Sequence, residues 1–178
     1  MTGAERAALI ARYRLGHGAL VAALAGATAA ELDWRPTPEA WSARDVVHHV
    51  EDAELTGAVR LRRLLTEDAP SIPAFDEEVY RERLAYATRP IEPALDAIRA
   101  AHVTTAELLD GLTADDWARA GTHSDEGPYS IERWLAFHAA HTQEHAAQIR
   151  QLRLARVGAA PPPFEPSGGA PELRPALR

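Results

Sequence analysis

Four long stretches of the chain repeat apolar residues every three or four positions, and no convincing stretch alternates them as a half-buried strand would. In the first, Ile10, Tyr13, His17, Leu20, Val21 and Leu24 share one helical face, and the helix is expected to end near Thr28. The second opens at "WSARD", where Ser42 caps and Asp45 stands three residues on, a capping-box pattern with Asp in place of Glu. Its stripe runs Val46, His49, Val50, Ala53, Gly57, Leu61 and Leu64, and it stops before Pro70. The third opens within Pro90 to Pro93, where proline is tolerated in a first turn, and carries Ala94, Leu95, Ile98, His102, Thr105, Leu109 and Leu112. The fourth is capped by Ser130 and runs to about Ala155.

The connections differ in kind. "DWRPTPEAW" is turn-rich, a short extra helix is expected from about Asp76 to Ala85, and Thr113 caps a short turn before the loop "THSDEGPYS". From Gly158 onward proline and glycine dominate, so residues 158–178 read as an extended tail and residues 1–157 as the folded domain. The expected fold class is all-α, a four-helix bundle. The long middle connection leaves the order of helix directions open.

Composition removes several functions. The chain has 178 residues, enough for one domain with a sizeable core, and a net charge of -7. An acidic chain is a poor partner for nucleic acid or an anionic membrane. The first twenty residues are charged and amphipathic, unlike a signal peptide or a membrane span, so the expected compartment is the cytoplasm. There is no cysteine, which excludes disulfides, a cysteine nucleophile and thiolate metal ligands. Any metal must be held by His, Asp or Glu.

The fourth helix supplies the chemistry. Ile131, Trp134, His138, His141, His145, Ile149 and Leu152 form one core-facing stripe whose centre is histidine. His141 and His145 are four apart, so their imidazoles can reach one metal from the same side. The bland alternative for any one of them is a core histidine with a hydrogen-bond partner. Several such rings in one stripe are hard to satisfy that way, because each unpaired buried nitrogen costs roughly 1–3 kcal/mol. Helix two offers a third ligand. His49 falls on its apolar stripe, whereas His48, about 100° round the helix, is expected at the rim as a surface or supporting residue. Three imidazoles would leave a coordination position open, as in a catalytic rather than a structural site. Imidazole also suits nickel and iron, so the ligands do not choose the metal. His17 and His102 lie on the stripes of helices one and three and could face the same cavity, although plain packing is the commoner role. His123 could cover the mouth of a site. Asp52, one turn after His49, could orient a ligand or accept a proton.

"HTQEH" also fits H-x-x-E-H, a zinc-protease signature with Glu144 as base. That reading fails on supply of the third ligand. The only acids after His145 are Glu165 and Glu172, both in the proline-rich tail.

The segments "WSARDVVHHVEDAEL", "LTEDAPSIPAFDEE", "RPIEPALDAIRAAH", "HSDEGPYSIERWL" and "HAAHTQEHAAQI", in this order, resemble the DinB/YfiT-like superfamily over about Glu31 to Leu152. Within it the chain is most similar to the YfiT branch of metal-dependent hydrolases and bacillithiol S-transferase-like proteins. The resemblance implies a four-helix bundle with one divalent metal, zinc or nickel, on His49, His141 and His145. It also matches His102 and His123 to histidines of that branch. Some relatives join a low-molecular-weight thiol such as bacillithiol to an electrophile, and bundles of this family often form homodimers.

Two functions follow. One is a metal-dependent enzyme that activates a thiol or water toward a small-molecule substrate. The other is a non-catalytic, stress-related metal-binding bundle or dimerisation module. A structural site would be closed by a fourth ligand such as His17, His102 or His138; an enzyme's would stay open.

Overall fold

The computed structural model describes residues 1–156 and Gly158. All but the first residue of the expected proline-rich tail therefore lies outside the described residues. Four long helices make the bundle: α1 (Gly3–Leu24), α3 (Ala43–Thr66), α5 (Ile91–Asp110) and α7 (Ile131–Arg156). Short helices α2 (Ala29–Leu32), α4 (Glu77–Arg83) and α6 (Ala114–Trp117) lie in the connections, with a 3-10 turn at Tyr86–Thr88. None of the described helices is long and apolar enough to cross a membrane.

Local chemistry sets the helix starts. The Ser42 hydroxyl accepts from the Asp45 N–H, and the Asp45 carboxylate accepts from the Ser42 N–H at 2.8 Å, so the anticipated box caps α3. Asp76 caps α4, Thr113 caps α6, and the Ser130 hydroxyl accepts from Arg133 N–H at the start of α7. The first helix stops at Leu24, short of the expected Thr28. Thr28 instead caps α2 in its own box with Glu31.

Strands are a correction to the all-helical expectation. β1 (Ser71–Ile72) pairs parallel with β2 (Ala120–His123), and β2 pairs antiparallel with β3 (Gly127–Ser130), which runs directly into α7. Segments of two to four residues are too short for alternation to register in the sequence. Gly121 is required where β2 passes Pro70: a Cβ there would lie 2.4 Å from the Pro70 carbonyl oxygen.

Contacts along the helices give the directions. Arg6 binds Glu132 and Arg153 binds the Ala23 carbonyl, so α1 and α7 run parallel. Trp134 donates to the Gly57 carbonyl while His141 meets His49, so α3 and α7 are antiparallel. Gly16 faces His102 and Arg14 pairs with Asp110, which sets α5 against α1. The bundle is thus up-down-down-up. The long connection from 67 to 90 exists because α3 and α5 are parallel, and the chain must return to the other end before α5 begins.

Two apolar clusters fill the interior. One joins Ile10, Leu61, Leu64, Leu109, Ile131 and Trp134 near the sheet; the other joins Leu20, Val46, Val50, Ile98, Ala146 and Ile149 at the far end. Between them lies a buried polar layer that includes Glu54, His102, Thr105, His138 and Thr142. Two glycines make room for its rings. A Cβ at Gly57 would sit 2.2 Å from His138 Cε1, and one at Gly16 would sit 2.7 Å from His102 Cε1. Gly57→Ala should therefore destabilise the fold by about 1–3 kcal/mol despite alanine's better helix propensity. Gly18→Ala, whose Cβ meets nothing within 4 Å, should be neutral or stabilising by up to about 1 kcal/mol. Urea midpoints of the two variants decide this, and equal effects would contradict the packing argument.

Candidate metal centre

α3 and α7 bring His49, His141 and His145 together as the stripes require. His141 Nε2 stands 3.2 Å from His49 Nε2 and 3.1 Å from His145 Nε2. One ligand nitrogen from each ring lies within 4.8 Å of the others, and this is the one such group of three among the described residues. Nitrogens about 2.0–2.1 Å from a tetrahedral zinc stand roughly 3.3 Å from one another, close to the two short separations here. A neutral imidazole has a single N–H, so three Nε2 atoms facing one another fit lone pairs directed at a cation better than a hydrogen-bond cluster.

The opposite edge of the His145 ring is consistent with this. His145 Nδ1 lies 2.7 Å from Gln148 Oε1, which fixes its Nδ1–H tautomer and frees Nε2. His49 Nδ1 and His141 Nδ1 are buried and make no hydrogen bond within the protein. Burial, then the charge of His145, pushes the His49 pKa down to about 3. Burial and the neighbouring His145 and His49 hold His141 well below the ordinary histidine range, and burial lowers His145. The three rings are therefore neutral near pH 7, the state a metal needs.

Aromatic rings support the trio. Trp41 meets His49 edge-on at 5.0 Å between centroids, and its indole N–H donates to Glu78 at 2.6 Å. Phe137 stacks on His141 at 4.8 Å. His49 and His141 are buried while His145 is mostly buried with a small exposed part, so what solvent contact the group has is on the α7 side.

The other candidate residues go elsewhere. His102 and His138 face Glu54, not the trio. His17 is half-buried on α1, where burial and His102 lower its pKa. No histidine among the described residues closes the trio as a fourth ligand. Asp52 accepts a hydrogen bond from Tyr86, and burial raises its pKa despite that bond. It faces the Tyr86 turn and contacts none of the three rings through a hydrogen bond. His123 is buried on β2 beside Tyr129, with Arg60 nearby, about three turns of α3 from His49. His48 is the clear departure from expectation. It is fully buried, not at the rim, with Nδ1 3.0 Å from Glu51 Oε2 and Nε2 3.3 Å from the Arg89 carbonyl. The returning segment around Tyr86 and Arg89 covers that face of α3, which helical period alone does not reveal. Glu144 is partly exposed and stands outside the convergent group.

Sequence reasoning missed Glu54. It is fully buried, and it accepts hydrogen bonds from Tyr13 Oη (3.1 Å) and Thr142 Oγ1 (3.1 Å). His138 Nδ1 lies 3.2 Å from one of its oxygens and His102 Nε2 3.3 Å from the other. Burial alone would raise its pKa, but the charge of His138 and the contacts to both imidazoles hold it well below the usual carboxylate range. The signal was present: Glu54 is four residues from Val50 and three from Gly57, on the core stripe.

A family model of the DinB superfamily matches residues 12–149. The chain belongs to the DinB superfamily. It is 33% identical to a protein of Geobacillus thermodenitrificans named "Putative metal-dependent hydrolase", over 81% of this chain and 82% of that one. A protein of the same description from Oceanobacillus iheyensis is 33% identical over 68% of this chain and 70% of its own length. Among solved structures, YfiT from Bacillus subtilis superposes with a TM-score of 0.82 at 25% identity, covering 90% of this chain and 91% of that one. It is described as "a probable metal-dependent hydrolase with an unusual four-helix bundle topology". The bundle and the resemblance to the YfiT branch both hold.

The neutral trio carries a pH dependence. In metal-free protein the unfolded chain takes up protons at these rings near pH 6.5, while the folded chain resists until well below that. Stability should be full above about pH 6.5 and fall as pH drops toward the His49 value of about 3. Urea midpoints of chelator-treated protein across this range should show a shallower fall for His49→Gln than for the wild type; identical slopes would mean the rings are not buried neutral.

Proposed function

We propose that this protein is a metal-dependent enzyme that holds one divalent cation, zinc or nickel, on His49, His141 and His145 and acts on a small-molecule substrate. The observation that carries this is the convergence of three neutral Nε2 atoms with no fourth protein ligand among the described residues. The names of the relatives support the same reading.

When bound, such a cation acts as a Lewis acid that lowers the pKa of a water or thiol placed beside it. The protein's own residues do the rest. Gln148 fixes the tautomer and orientation of His145. Trp41 and Phe137 brace His49 and His141 and shield them from water. The partly exposed His145 marks the side from which substrate reaches the centre. With no cysteine in the chain, a sulfur nucleophile has to come from a soluble thiol such as bacillithiol. The nucleophile is thus water, in a hydrolase, or a low-molecular-weight thiol, in an S-transferase.

Elemental analysis of the untagged protein should find about one zinc or nickel per chain, and none after His141→Ala with His145→Ala. Metal-loaded protein is then offered ester and amide substrates in water, and separately thiols with epoxide or halide electrophiles. Metal-dependent turnover in one set identifies the nucleophile. Absence of metal even after adding zinc or nickel would sink the reading and leave a bundle with a buried histidine cluster.

A further inference from the structure

Three carboxylates are buried in the described bundle: Asp45, Glu51 and Glu54. Asp45 is paired with Arg35 at 2.6 Å and Glu51 with Arg89 at 3.0 Å. Glu54 meets no guanidinium among the described residues; its partners are two hydroxyls and two imidazoles. A buried carboxylate whose only ionisable partners are imidazoles is costly, and a fold keeps it only where something compensates. Here the surroundings are built for it, since Gly16 and Gly57 are hollowed to seat the two flanking rings.

A second metal on this cluster does not fit. His138 and His102 address opposite oxygens of the carboxylate, and they do not converge with Glu54 as the trio does. The placement of the charge is more informative. Thr142, which donates to Glu54, follows His141 directly, and His138 precedes His141 by one turn. Glu54 itself is five residues beyond His49 on α3. The trio contributes three neutral ligands and no charge, and Glu54 is the one buried carboxylate of the described residues without a guanidinium partner to set against a dication placed there.

We propose that Glu54 is the buried counter-charge of the metal centre, a positioning residue whose negative charge stabilises a divalent cation on His49, His141 and His145 from behind the α7 turn that presents the last two. This rests on the reading that the trio binds metal. Partners behind metal ligands commonly contribute about 10–100-fold to affinity. Glu54 acts through the field and through Thr142, not by touching the cation.

The test is cobalt(II) and zinc binding to the full chain by chelator competition, with thermal melts to confirm folding. Wild-type binding near one equivalent, lost in the His141/His145 double variant, establishes the parent reading; no binding in the wild type overturns both. Glu54→Gln keeps the shape and an acceptor for Thr142 but removes the charge. It should bind cobalt about 10–100-fold more weakly and shift the visible cobalt bands, with Glu54→Asp recovering part of the affinity. His138→Gln retains a donor to Glu54 and the carboxylate charge, so its affinity should stay at or above the wild-type value. Glu144→Gln, at the partly exposed neighbour of His145, should change affinity by less than about threefold because solvent screens it. A folded Glu54→Gln protein with wild-type affinity overturns the proposal. So does an equal loss in His138→Gln, which would make the effect one of packing. If Glu54→Gln does not fold, the His138→Gln affinity decides: retention supports the counter-charge, and a tenfold loss overturns it.

Discussion

Glu54 is one side chain on α3 that touches each of the other three long helices. It accepts from Tyr13 of α1 and Thr142 of α7, and stands within 3.3 Å of His102 of α5. The polar layer between the two apolar clusters is arranged around that contact. The two apolar clusters lie above and below it, and the glycines of α1 and α3 that allow close helix approach face the two rings beside it. A bundle whose core were wholly apolar could slide by a turn with modest loss, because apolar contacts are non-directional. A carboxylate held by hydrogen-bond contacts with Tyr13, His138 and Thr142 of two helices, and lying against His102 of a third, permits one register. That register also sets His49 opposite His141 and His145.

Six of the eight histidines are buried, so most of the chain's imidazoles must be satisfied by something other than water. Five of them divide into three kinds of environment, and His123 lies apart on β2 beside Tyr129. His48 rests between Glu51 and the Arg89 carbonyl, where it ties the 67–90 connection to α3. His102 and His138 attend Glu54. His49 and His141 have only each other and His145, and their remaining nitrogens meet no protein partner. The first two kinds are structural in the ordinary sense. The third differs in kind, because its ring nitrogens face one another rather than a carboxylate or a carbonyl.

The helical period made the bundle and the trio legible before any coordinates. Val46, His49, Val50 and Ala53 define one face of α3, and His141 and His145 define one face of α7; both faces had to meet inside. The caps at Ser42, Thr113 and Ser130 were equally legible, because capping is a local matter of one side chain and a few backbone groups. What stayed hidden was non-local. The burial of His48 depends on a segment some forty residues downstream folding back over α3. The strands depend on pairing between residues near 71 and 122, with too few residues for a period to show. Glu54 was legible in position but not in meaning. An acid on a core stripe reads as an error in the pattern until the rings of α5 and α7 are placed beside it.

Topology explains why the three converging histidines come from α3 and α7 in particular. These two helices are antiparallel neighbours, so a pair at i, i+4 on one can face a single ring on the other at one level of the bundle. α1 and α5 flank the seam from either side and supply no ligand. They supply instead Tyr13, Gly16 and His102, which buttress the carboxylate from behind. Ligation and charge are thereby separated onto two layers of the same seam. Imidazole suits several divalent metals, so the fold's own contribution is how rigidly the three nitrogens are held and where the nearby charge sits. Both depend on α7 keeping its register between residues 138 and 145, which the contacts of His138 and Thr142 with Glu54 enforce.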